Sequence, residues 1–89
     1  MTEKAVKDLS VKVMANPTQN YFTLVNRSSS NALLSIKVVD RFGRIVETKR
    51  GISANGTLQL GSEYDKGIYF AEVQQGNKKL LIKLIKQSN

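Results

Sequence analysis

At 89 residues and 40% apolar composition, the chain has room for one domain and one small core; a domain this size buries only about 60% of its unfolded surface. It has no cysteine and no histidine, which excludes disulfides, thiolate metal sites, Ser-His and Cys-His nucleophilic pairs and the commonest general base. Its formal net charge of +7 suits either an anionic partner or a lysine-rich, soluble surface.

Residues 1–8 are polar around Ala5 and Val6 and read as a linker or flexible arm. No apolar run follows Met1, so a signal peptide is not expected within the chain. No segment reaches the roughly 20 apolar residues of a membrane-spanning helix.

From Leu9 onward apolar residues recur at every second position, the period of a strand. Val11 and Val13 form the first such run, ended by Asn16-Pro17, because proline lacks a ladder donor and biases the residue before it to extended geometry. Phe22 and Leu24 mark a second strand, followed by a polar loop over 27–31. Leu34, Ile36 and Val38 mark a third. Asp40-Arg41-Phe42-Gly43 has turn chemistry, with an Asp to accept nearby amides and a Gly three positions on, so 33–49 reads as a hairpin with its return strand beginning at Ile45 and Val46.

Residues 51–56 read as a short connection to a strand carrying Leu58 and Leu60. After the polar stretch 61–66, Gly67 opens a strand with Tyr69, Ala71 and Val73 on one face. Gln75-Gly76-Asn77 is a turn. The last strand sets Leu80, Ile82 and Leu84 against Lys79, Leu81, Lys83 and Ile85. About seven short strands separated by turns and no helix predict an all-β antiparallel sandwich. The expected core is the inward set just named.

Most of the seven carboxylates (Glu3, Asp8, Asp40, Glu47, Glu63, Asp65 and Glu72) fall in turns or on strand faces expected to be solvated, and a pair facing each other across a cleft is not expected. Glu63 and Asp65 lack the spacing of a calcium loop. Catalysis, a metal and a cofactor are therefore not expected. Lys78, Lys79, Lys83 and Lys86 are interleaved with aliphatic residues and not with stacking aromatics, which argues against nucleic acid and for a terminal strand protected from edge pairing. Lys83 and Lys86 are expected to face solvent. Tyr21, Phe42 and Phe70 leave open an alternative, an adhesive or carbohydrate-binding module.

The order of Asn16-Pro17, Asp40-Arg41-Phe42-Gly43, Gly67-Ile68-Tyr69 and Lys83-Leu84-Ile85-Lys86 resembles the type A C-terminal sorting domains of the type IX secretion system, over residues 10–87. Ala15 stands where that family often has proline. The resemblance implies an immunoglobulin-like sandwich over 9–89 that follows an upstream cargo domain. It implies a non-catalytic export label, recognised by an outer-membrane translocon and removed by a surface sortase. Its implied route is the periplasm in transit, then the cell surface or the medium. The recognition residues it implies are Asn16, Pro17, Asp40, Gly43, Gly67, Tyr69, Lys83, Leu84, Ile85 and Lys86. If the last strand lies at an edge, strand addition is one way to read it.

Overall fold

A computed structural model describes residues 9–87, and the arm expected over 1–8 lies outside them. Among the described residues there are seven strands and no helix: β1 (Ser10–Met14), β2 (Phe22–Arg27), β3 (Leu34–Asp40), β4 (Ile45–Ile52), β5 (Gly56–Leu60), β6 (Gly67–Gln75) and β7 (Lys78–Lys86). They form two antiparallel sheets, ordered β1-β2-β5 and β4-β3-β6-β7. This is an immunoglobulin-like sandwich whose fourth strand has joined the sheet of the third, sixth and seventh.

The period-two pattern works because each strand has one face against the other sheet. Phe22 and Leu24 of β2, Leu34, Ile36 and Val38 of β3, Tyr69, Ala71 and Val73 of β6, Leu60 of β5 and Leu84 of β7 are buried. Val11, Val13, Leu58, Leu80 and Ile82 pack half-buried around them, as expected of strands at or near the sheet edges. Leu9, which heads the alternating run of β1, and Ala54, which belongs to no such run, complete the core.

The β3–β4 hairpin turns where the sequence places it. Asp40 pairs with Arg44 across a three-residue loop, and Gly43 occupies the left-handed position at φ +85° that such a loop needs. The connection read over 51–56 is shorter, because β4 runs on to Ile52 and β5 starts at Gly56. Two of the inward positions of β4 are charged, Glu47 and Lys49, paired at 3.2 Å. Inward charge on an edge strand discourages pairing with another chain.

The two ends of the sandwich are closed by polar groups on inward positions. At one end Gln75 donates to the Ala32 carbonyl (2.8 Å) and accepts from the Ser28 hydroxyl (2.8 Å), while Asn55 and Ser28 exchange two bonds. At the other end β5 stops at Gly61, which is buried at φ +91°. A Cβ on Gly61 would stand 2.7 Å from the Phe22 ring at the centre of the core. Gly61→Ala is therefore expected to destabilise the domain by about 2–4 kcal/mol, combining left-handed strain with overpacking. Chemical denaturation of the two purified proteins measures this; an unchanged midpoint would mean that Phe22 yields freely.

Candidate functional site

The four separated motifs meet at one end of the molecule. Register explains it: Asp40 pairs with Tyr69, Tyr69 with Leu84, and Gly67 with Lys86, so the end of β3, the start of β6 and the end of β7 lie side by side. Asp40, Gly67, Tyr69 and Lys86 line one open groove of about 800 Å³, walled by Arg41, Phe42 and Arg44 of the β3–β4 turn and by Gln19 and Gln87.

Asp40 is spent on its own turn. One carboxylate oxygen accepts from the Phe42 and Arg44 amides (2.9 and 3.0 Å) and the other from the Arg44 side chain at 2.8 Å. Partial desolvation pushes the carboxyl up, but these amide and guanidinium donors outweigh it and hold its pKa below the ordinary value. The turn presents Phe42 at its tip, 68% exposed. The guanidinium carbons of Arg41 and Arg44 lie 4.9 and 5.4 Å from the centre of its ring.

Gly67 opens β6 at φ +150°, and Tyr69 buries its ring while its hydroxyl donates to the Asp65 carbonyl at 2.7 Å. This is the tyrosine corner of immunoglobulin-like sandwiches. The Tyr64 ring tilts against Tyr69 at 4.7 Å, and its hydroxyl donates to Glu47 at 2.7 Å. Burial, reinforced by that carboxylate, pushes the Tyr64 pKa far above its ordinary value.

Asn16 and Pro17, joined by a cis peptide bond, lie along the outer edge of β7. The Asn16 carboxamide behaves like a ladder residue: it accepts from the Ile85 amide and donates to the Lys83 carbonyl, both at 2.9 Å. Thr18 continues the seal, donating to the Ile85 carbonyl (3.1 Å) and accepting from the Gln87 amide (2.7 Å). Strand β7 is thus an edge strand, but from Lys83 to Gln87 its outer edge is already occupied. Strand addition there would first have to displace Asn16–Thr18. Ala15 precedes this segment at φ +57°, a conformation closed to proline, so the approach to Asn16 differs from any that a proline there would permit.

The lysines of the last strand divide. Lys83 is exposed, as expected. Lys86 is not: it is 6% exposed, and its ammonium donates to the carbonyls of Gly61 (2.5 Å), Tyr64 (3.1 Å) and Ser62 (3.4 Å). The expectation that both face solvent fails because Lys86 shares the inward face of Leu84, two residues before it. Three carbonyls match the three ammonium protons, which makes burial of the charge tolerable. Leu84 is fully buried, and Ile85 is half-buried on the opposite face.

Sequence reasoning missed Lys86, Asn26 and Gln75 as inward polar groups. Strict alternation could have found all three, since each extends the apolar face of its own strand.

Four variants test this end. Lys83→Gln should change stability by no more than about 0.5 kcal/mol. Lys86→Gln should cost about 1–3 kcal/mol through orphaned carbonyls, and Lys86→Arg should not rescue it, because a planar fork cannot meet three converging acceptors. Thermal melts distinguish the two positions; equal midpoints would refute the carbonyl cage. Tyr69→Ala should cost about 3–5 kcal/mol, as a buried aromatic truncation does.

The depressed Asp40 pKa gives a pH dependence. A carboxyl lowered on folding adds stability that is complete above its unfolded value of about 3.9 and is lost as the pH falls through the lower folded value. Asp40→Asn should therefore flatten the acid limb of a stability–pH profile and leave the neutral plateau with no pH dependence from this group. An unaltered acid limb would show that Asp40 is not linked to folding.

A family model described as the secretion system C-terminal sorting domain matches residues 12–87. A search of curated proteins returned no match. With the motif residues gathered at one end of an immunoglobulin-like sandwich and nearly the whole chain matched, the chain belongs to the type IX secretion C-terminal sorting domain family.

Proposed function

We propose that this domain is the export label of a cargo protein that precedes it, read by the outer-membrane translocon from the periplasmic side and then removed by a surface sortase. The cargo is left at the cell surface or in the medium. The family match supports a C-terminal sorting signal. The observation that carries the finer reading is the convergence of motifs 67 residues apart in sequence: the Asn16 carboxamide bonds the backbone of Lys83 and Ile85, beside the groove lined by Asp40, Gly67, Tyr69 and Lys86. Such a surface exists only when the fold is complete, so a receptor that reads it selects folded tags.

The role assigned is recognition, not catalysis. Two of the charged groups of the groove are engaged in structure, Asp40 with its turn and Lys86 with three carbonyls. A carbohydrate platform is less well supported, because Phe42, the most exposed aromatic among the described residues, already carries the guanidiniums of Arg41 and Arg44 against its ring.

The test fuses the complete chain behind a signal-peptide-bearing reporter in a bacterium that has the secretion system. The reporter should reach the cell surface, and it should stay in the periplasm when the translocon is deleted or the domain is omitted. Surface display without the domain, or display that survives loss of the translocon, would end this reading.

A further inference from the structure

The motif residues at this end are largely used up in holding it together, so the groups left free to touch a partner must be sought beside them. The outer face of the β4-β3-β6-β7 sheet supplies them. Register aligns Ile45, Val39, Phe70 and Lys83 in one cross-strand row and Ile68 with Ile85 in the adjacent row. Cross-strand partners share a face, and this face is turned away from the core. Ile45 is 62% exposed, the other four apolar side chains are half-buried, and among the described residues no further strand packs over this face.

Farther from the motif end the same face is mixed. Glu72 is held between Lys37 (3.5 Å) and Lys79 (3.3 Å), and its β7 partner is the exposed Leu81. The adjoining apolar rows therefore lie toward the end where the motifs meet, and Ile68 joins them to the groove.

The rim of this patch is cationic. Among the described residues, the ammonium groups of Lys83 and Lys66 make no ion pair or hydrogen bond, and Arg41 is engaged only with the Phe42 ring. Of the carboxylates lining the groove, Asp40 is taken up by Arg44, and Asp65 alone remains to oppose these cations. An apolar centre inside a charged rim has the anatomy of a protein interface. A second copy of the chain is a poor occupant, since each carries a net charge of +7 and the rims would face each other with like sign.

We infer that Val39, Ile45, Ile68, Phe70 and Ile85, with Lys83 at the rim, form the contact surface for an apolar, carboxylate-rimmed protein surface. Resting on the sorting reading, this assigns the partner's footprint to the sheet face, with the motifs as its support.

The same reporter fusion tests it with three variants: Ile45→Thr/Phe70→Thr, which keeps strand propensity; Lys83→Glu; and Lys12→Glu, the same charge change at an exposed position on β1 of the other sheet. Surface display should fall about tenfold or more for the first two, as when interface anchors are lost, and stay at the parent level for Lys12→Glu. Thermal midpoints of the purified chains should stay near the parent's. Should the double variant fail to fold, Lys83→Glu decides, because the Lys83 side chain makes no bond among the described residues.

Equal display by parent, patch and rim variants overturns the inference and leaves the sorting reading standing. A parent that is not displayed removes both. The purified chain is also titrated with phosphatidylglycerol vesicles and sedimented at rising concentration. Vesicle binding, or a dimer, that disappears in the patch and rim variants would assign the surface to lipid or to a second copy and overturn the protein partner.

Discussion

A single ammonium group organises the motif-bearing end of this domain. Lys86 brings its charge to the point where the carbonyls of Gly61, Ser62 and Tyr64 converge, and each proton finds an acceptor. These carbonyls belong to the loop between β5 and β6, which must cross from one sheet to the other. Without a cation at that point, three converging carbonyls would lose their shared donor. With it, the loop is held against the end of β7, Tyr64 stacks on Tyr69, and the tyrosine corner to Asp65 forms. The end of the chain thereby shapes a loop 22 to 25 residues before it.

The edge of β7 illustrates a second constraint. A terminal strand with unpaired amides invites association with any extended chain. Here the segment after β1 lies along it, and the Asn16 carboxamide substitutes for a backbone ladder partner. The exposed Lys83 side chain and the inward charges of β4 add protection at the two edges of the same sheet. The consequence is that the edge is closed at the motif end, while the outer sheet face and the groove stay open.

Most of the architecture was legible in the residues. Alternation located the strands and nearly all of the core, because in a two-layer sandwich each inward side chain meets the opposite sheet. The Asp40–Gly43 turn was legible because its geometry rests on local bonds between neighbours in sequence. Ala54 was not, since it is buried by neighbours from elsewhere in the chain and not by a pattern of its own. Lys86 was misjudged because residue type was allowed to override position.

The sequence by itself determined the class of fold, the strand order along the chain, the turn at Asp40 and the likeness to a sorting family. These depend on local periodicity, turn chemistry and motif order. Tertiary structure alone decided what the motif residues outside that turn do. Asn16 as an edge cap, Lys86 as a carbonyl clamp and the apolar rows around Phe70 all arise from contacts between residues remote in sequence. Such contacts depend on sheet register and on the path of loops between sheets, and neither is encoded in any short run of residues.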